Sequence, residues 1–135
     1  MKSLFGYLNN DPGIGIFILR LFTGVRLIYG VIDNVLNWDR MIEFKDFLEQ
    51  FHFPLPLISA IVSVYAQLFA GISYLLGWQI RYAAILMIIN FTIAVLMVHW
   101  GQTFDQMTSP LSMLFISVLL LFQGAGKYSL DRKRP

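Results

Sequence analysis

The residues of this sequence that could do chemistry are few, and the most unusual of them lie inside an apolar segment. Arg26 and Asp33 are both charged, and Tyr29 and Gly30 stand between them. Seven residues turn an α-helix by about 700°, close to two full turns, so one helical stripe is expected to carry all of these positions. A guanidinium, a phenol and a carboxylate on one stripe could polarise a carbonyl, donate a hydrogen bond and relay a proton.

Other polar residues stand near the middle of three further apolar segments, namely Gln67, Asn90 and Ser117. An arginine at the centre of a membrane costs about 2.5–3.5 kcal/mol on insertion scales, so Arg26 is expected to face the interior of a helix bundle. If all four side chains point inward, they form a polar belt at one depth. The uncharged three could equally serve only as interhelical hydrogen bonds. The predicted ligand-binding pocket comprises Arg26, Tyr29, Asp33, Gln67, Asn90 and His99.

Two histidines and a second arginine leave alternatives open. Arg20 precedes Arg26 by six residues, or about 600°, and therefore lies on a different helix face. It could extend toward lipid headgroups or have a functional role. His99 ends an apolar segment, where it could transfer protons or simply form an interfacial hydrogen bond. His52 falls between apolar segments and is expected to be solvated.

Several chemistries are excluded by what the sequence lacks. It has no cysteine, which removes disulfides, thiolate metal sites and thiol redox chemistry. With two histidines and no ligand spacing among its acidic residues, it shows no metal site. No phosphate-binding loop or nucleophile elbow is present, so no catalytic residue is predicted. The net charge of +2, without basic residues interleaved with stacking aromatics, argues against nucleic-acid binding.

The elements that must position these residues are membrane helices. The chain has 135 residues, of which 57% are hydrophobic and 13% charged. A soluble domain carries about 25% charged residues, so lipid must cover much of this surface. Four apolar segments of spanning length occur at about residues 13–38, 57–78, 82–100 and 110–126. They predict a single domain over residues 1–135, an all-α integral membrane four-helix bundle with left-handed, up-down-up-down packing.

The ends of the spans are marked by residue type. Trp38, Trp78 and Trp100 fall at span boundaries, where indoles favour the membrane interface. Pro110 is expected to begin the fourth span and Gly124 to end it. Residues 39–56 have apolar side chains at helical spacing, which predicts a short amphipathic interfacial helix between the first two spans. The first span is expected to be retained, because Arg20 interrupts a signal-peptide pattern.

The distribution of Lys and Arg predicts an orientation. Six of these residues lie in the two tails and the second loop, and two lie in the first loop. Under the positive-inside rule both termini are expected in the cytoplasm, in a multi-pass protein of the inner (plasma) membrane. The opposite mouth, with Asp39, Glu43 and other acidic residues, is expected to be acidic.

The sequence also resembles the DoxX family of small four-helix membrane proteins. The likeness lies in Leu-Arg-Leu-Phe-Thr-Gly at residues 19–24, Phe-Pro-Leu-Pro at 53–56, Gln-Leu-Phe-Ala-Gly at 67–71, Val-His-Trp at 98–100 and Gly-Ala-Gly-Lys-Tyr-Ser-Leu-Asp at 124–131. Two departures move charge: Asp33 follows Tyr29-Gly30 where the family has Lys after His-Gly, and Gln67 replaces a common Glu. The resemblance implies an inner-membrane protein linked to quinone-dependent redox chemistry, whereas distant relatives act as chaperones or lipophilic-ligand binders.

Two functions therefore compete. The first is a quinone-linked membrane subunit or accessory, with quinone as the possible ligand and no redox centre of its own, so that electrons come from a redox partner protein. The second is a non-enzymatic binder of a lipophilic ligand or a membrane assembly factor. Whether the protein is an enzyme stays open. A transporter is a weaker reading, since it would need a homodimer. Ala66 and Ala70 could form that interface but are expected to pack within the bundle.

Overall fold

The computed structural model describes residues 12–133, and in that range the regular secondary structure is all helical, with no β-strand. Its five α-helices are α1 (Pro12–Leu36), α2 (Trp38–Gln50), α3 (Pro56–Leu76), α4 (Ile80–Met97) and α5 (Phe104–Gln123), followed by a 3-10 turn at Leu130–Lys133. Four of them, all except α2, are long and apolar enough to cross a membrane. The predicted all-α membrane fold is confirmed. Of the six Lys and Arg residues counted above in the tails and the second loop, Lys2 and Arg134 lie outside the described residues.

The helix boundaries lie within about three residues of the predicted spans, except at the start of the fourth span. α1 ends at Leu36, because Asn37 adopts an extended backbone. The Asn37 side chain accepts a hydrogen bond from the Asp39 backbone amide and so caps the N-terminus of α2. Pro110 does not begin the fourth span but lies inside α5. That helix begins earlier, because Thr103 and Gln106 form a reciprocal capping box. Gly124 ends α5 with a positive φ, as predicted.

α1 and α3 touch through glycines. A Cβ on Gly71 would lie 2.6 Å from a side-chain carbon of Ile28, and a Cβ on Gly24 would lie 2.7 Å from the Gly71 carbonyl oxygen. Both positions therefore have to be glycine for the backbones to approach this closely, as small residues allow in membrane helices. This contact determines which face of α1 is turned toward the bundle.

Two groups of buried side chains hold the bundle together. The larger one joins α1, α3, α4 and α5, and its fully buried members include Ala70, Tyr74, Met87 and Leu120. Ala70 therefore packs inside the bundle, as expected. The smaller one lies toward the other end of α3, where Met41 and Leu48 of α2 pack against Ala60 and Val64. α2 is thus an amphipathic helix seated on α3.

Candidate functional site

A pocket of about 510 Å³ lies between α2, α3 and α4. Its volume is within the range of about 300–1,000 Å³ that small-molecule sites occupy. The walls are mostly apolar, and three phenylalanines, Phe44, Phe47 and Phe53, stand on the side of α2 and its following loop. Such a site suits a lipophilic ligand that carries a small number of polar groups.

A chain of polar side chains crosses the pocket between α3 and α4. The Gln67 amide nitrogen donates to the Ser63 hydroxyl at 3.1 Å, and that hydroxyl donates to the Asn90 side-chain oxygen at 2.7 Å. The Ser63 hydroxyl is thereby used as both donor and acceptor. Among the residues described, the Asn90 amide nitrogen has no acceptor and the Gln67 amide nitrogen uses one of its two N–H groups, so both can donate to a ligand in the pocket.

The polar residues of α3 continue toward the α2 end of the pocket. Ser59, Ser63 and Gln67 are spaced by four residues, and all three line the pocket. The Ser59 hydroxyl donates to the Pro54 carbonyl oxygen at 2.8 Å. Because residues four apart lie on one helix face, these side chains form a polar stripe about 12 Å long from the loop to the middle of α3.

His99 lies just after α4, at the end of the pocket away from Asn90. Its Nδ1 is 2.6 Å from the Gln102 side-chain oxygen, which can only accept. In the neutral imidazole the proton is therefore on Nδ1, which leaves Nε2 as an acceptor. Nine residues separate Asn90 from His99, or about 13 Å along a helix axis. The pocket thus has amide groups at the mid-helix end and an imidazole near the helix end.

Exposed apolar residues form the rim of the pocket between α3 and α4. Val62 on α3 and Ile89 and Ile93 on α4 line the pocket and are also exposed on the outside of the bundle. All three lie within helices of membrane-spanning length. A lipophilic molecule could therefore enter sideways from the acyl chains.

The predicted site residues fall into two groups. Gln67, Asn90 and His99 line the pocket, whereas Arg26, Tyr29 and Asp33 do not. The last three do share one stripe of α1, as their spacing predicted, but that stripe is exposed on the outside of the bundle. The expectation that Arg26 faces the interior is wrong, because the Gly24–Gly71 contact turns the opposite face of α1 inward.

The buried arginine is Arg20 instead. Its side chain is fully buried, and its guanidinium donates to the Tyr74 carbonyl oxygen at 3.1 Å and to the Tyr128 carbonyl oxygen at 2.5 Å. The Tyr74 carbonyl is in the last turn of α3, where helix carbonyls lack backbone partners and a positive charge is favoured. Gly77 makes room: its φ is +68°, and a Cβ there would lie 2.3 Å from the guanidinium.

The tail after α5 completes the same end of the bundle. Both carboxylate oxygens of Asp131 accept from backbone amides, those of Gln79 and Ile80, at 3.0 Å each. Asp131 therefore caps the N-terminus of α4, which has no cap of its own, and its negative charge suits that end of the helix dipole. The Gly-rich string at residues 124–131 is thus a structural clasp over the turn between α3 and α4.

The predicted polar belt does not exist as one layer. Ser117 is fully buried and pairs with the Tyr74 hydroxyl at 2.7 Å, inside the larger core. Gln67 and Asn90 belong to the pocket, and Arg26 is outside the bundle. Similar depth along four helices is not enough for contact, because each side chain also needs the right rotation about its helix axis.

Charges on the outer face of α2 pair with one another at the surface. Arg40 contacts Glu43 at 3.0 Å, and Lys45 lies 3.3 Å from Asp46 and 3.7 Å from Glu49. The hydrogen bond to Asp46 raises the pKa of Lys45. Exposed pairs of this kind contribute little to stability. This face is a solvated surface over the pocket and adds nothing to its chemistry.

Sequence reasoning missed Ser59, Ser63 and the three phenylalanines as pocket residues. The serines could have been found, because with Gln67 they repeat at the four-residue spacing that marks one helix face. Phe44 and Phe47 were recognised only as part of the apolar face of the amphipathic helix, and Phe53 only as part of the Phe-Pro-Leu-Pro string. Their place over the pocket depends on how α2 returns onto α3, which no local pattern records.

Comparison with known families gives one match. The family model described as DoxX matches residues 15–100, which is more than half of the chain. Every residue that lines the pocket lies inside this range, whereas the clasp at residues 124–131 lies beyond it. Searches of the curated proteins and of the solved structures found no match.

Proposed function

The chain belongs to the DoxX family of integral membrane proteins, and from that premise we propose that it binds a quinone-class lipophile in the pocket between α2, α3 and α4, as an accessory of a membrane redox system. The observation that carries this proposal is the Gln67–Ser63–Asn90 hydrogen-bond chain inside an apolar pocket. It leaves N–H groups of the Asn90 and Gln67 amides available as donors, and a ring carbonyl is an acceptor that suits them.

The residues present fit such a ligand. A quinone ring is apolar on its faces and polar only at its two carbonyl oxygens, and the pocket has that same division. The Asn90 amide would hold one carbonyl, while the phenylalanines of the α2 side would cover the ring or its apolar tail. A bound quinone supplies a two-electron, two-proton couple, and a partner protein would supply the electrons.

His99 and the polar stripe of α3 suggest how protons would reach the site. The His99 imidazole has one nitrogen that donates and one that accepts, and it lies at the end of the pocket next to the helix end. Ser59, Ser63 and Gln67 would extend hydrogen bonding from the loop toward the mid-helix end. The role proposed for these residues is to hold and pass a proton, not to carry electrons.

We further propose that the protein lies in the inner membrane with both termini in the cytoplasm. The unequal distribution of Lys and Arg supports this orientation. Because the chain has no cysteine, single cysteines report topology directly. An impermeant maleimide added to intact cells should label Gln50→Cys and spare Leu130→Cys; the reverse pattern would contradict the proposal.

The binding experiment uses purified protein in lipid nanodiscs, with decylubiquinone as the probe. Replacing Asn90 with leucine should weaken binding about tenfold, since a lost buried hydrogen bond costs about 1–3 kcal/mol. Arg26→Leu is the matched control and should leave affinity unchanged, because Arg26 does not line the pocket. Equal loss in both variants, or none in Asn90→Leu, would overturn the assignment.

A second candidate, a non-enzymatic carrier of lipophilic molecules, is favoured by the apolar rim between α3 and α4. An alkylnaphthalene of similar size, which has no oxygen, separates the two functions. If it competes as well as decylubiquinone, the site recognises apolar shape alone and the carrier role is supported. Electron transfer to quinone, compared in membranes with and without the protein, then tests the redox role itself.

A further inference from the structure

The outward face of α1 has the spacing of a helix-packing seam. Phe22, Arg26, Tyr29, Asp33 and Leu36 are all exposed, and they follow one another at intervals of four, three, four and three residues. This 3.5-residue period is the one by which two helices pack along each other with a small crossing angle. In the part of the chain that the structure describes, no helix covers this face.

Arg26 makes an uncovered face costly. It is thirteen residues from Gly13 and ten from Leu36, so it lies about 20 Å and 15 Å from the two ends of the span. Its guanidinium lies over Gly30 on the same face of the helix. No described residue forms a hydrogen bond or ion pair with it. Charged side chains inside membranes are almost always paired or turned into a bundle.

We propose that this face binds a transmembrane helix of a different membrane protein, and that the partner helix brings a carboxylate to the depth of Arg26. The seam spacing supplies the packing, and the opposite charge supplies the specificity. Asp33 is only one turn from the end of α1, where the headgroup region can solvate it. The pairing of Arg26 is therefore the central requirement. This docking surface does not depend on what the pocket binds.

A second copy of the chain does not meet this requirement in either orientation. Two parallel copies related by a twofold axis would place Arg26 against Arg26 and Asp33 against Asp33, which pairs like charges. Two antiparallel copies could pair Arg26 with Asp33, but they would cross between Tyr29 and Gly30. The span is centred near residue 24, about five residues from that crossing point in each copy. The centres of the two spans would therefore lie at depths about 15 Å apart, which is half the thickness of the hydrocarbon core.

The test is photocrosslinking in membranes of the cell that naturally makes the protein. Benzoylphenylalanine replaces Phe22 or Tyr29 on the seam, and Phe115 or Phe122 on the exposed face of α5 serves as the matched control. The seam positions should crosslink to one protein, at a membrane segment that contains Asp or Glu, and the α5 positions should not. Arg26→Leu should reduce the product about tenfold or more, as expected for a lost buried charge pair.

A charge exchange then establishes that the contact is specific. Arg26→Glu should abolish the crosslink, and replacing the partner's carboxylate with Arg should restore it. Three outcomes would overturn the proposal: crosslinks to the chain itself, adducts with lipid alone at all four positions, or a product that Arg26→Leu leaves unchanged. Decylubiquinone binding by Arg26→Leu is measured in parallel. Because that variant should keep its affinity for decylubiquinone, this measurement tests the pocket proposal independently of the crosslink.

Discussion

Two arginines on α1, six residues apart, have opposite surroundings. Arg20 is fully buried and its guanidinium holds carbonyl oxygens of α3 and of the tail, whereas Arg26 is exposed on the outside of the bundle. The same residue type therefore joins two segments at one end of the bundle and, on the opposite face of α1, is exposed. A charge inside a membrane segment does not by itself indicate a polar interior.

The comparison also separates charged groups that have partners within the fold from a charged group that has none. Around Arg20, each charged group meets the end of a helix dipole: the guanidinium meets the C-terminus of α3, and Asp131 meets the N-terminus of α4. Around Arg26 no such partner is present among residues 12–133. The first arrangement stabilises the fold, whereas the second contributes no contact to it.

The largest expected effect comes from removing the buried arginine. Arg20→Leu should lower the free energy of unfolding in detergent by about 3 kcal/mol, since two carbonyls lose charged donors and one of them ends α3. Circular dichroism during thermal or denaturant unfolding measures the change. Arg26→Leu is the paired control, and its effect should stay below about 1 kcal/mol. If the two variants lose equal stability, the contrast between the arginines is wrong.

A smaller effect should follow from crowding the inward face of α1. Gly71→Ala places a Cβ 2.6 Å from Ile28 and should cost about 2 kcal/mol, in the range seen for overpacked cores. Gly30→Ala is its outward counterpart, where only the mobile end of Arg26 lies nearby, at 3.0 Å. That variant should be neutral or stabilise by about 0.5–1 kcal/mol, as alanine does in helix interiors. Destabilisation by Gly30→Ala comparable to that of Gly71→Ala would refute the assigned faces.

The smallest of the three concerns the clasp. Asp131→Ala should cost about 1 kcal/mol, because the α4 N-terminus loses a cap that accepts two backbone amides. Asp46→Ala, which removes an exposed carboxylate from α2, is the control and should be close to neutral. Unfolding of both variants is compared at the same pH and salt concentration. Equal effects would mean that the clasp carries no stability of its own.

Much of the fold could be predicted because its signals are local. Four apolar segments follow from hydropathy and residue type, and the spacing of Arg26, Tyr29 and Asp33 correctly placed them on one stripe. Gln67, Asn90 and His99, three of the six residues predicted to line a pocket, do so, and ligand binding there stays a prediction. Pro110 was misplaced because the capping box of Thr103 and Gln106 begins the helix upstream of it.

The sequence by itself determined that this chain spans a membrane and which polar side chains share a helix face. It also determined where the spanning helices begin and end to within about three residues, apart from the start of the last one. It could not determine which face of α1 turns inward, because both faces are apolar and each carries an arginine. The tertiary structure decided this through the Gly24–Gly71 contact and through the tail carbonyl that binds Arg20. Hydropathy depends only on nearby residues, whereas the rotation of a helix depends on the residues that it meets far along the chain.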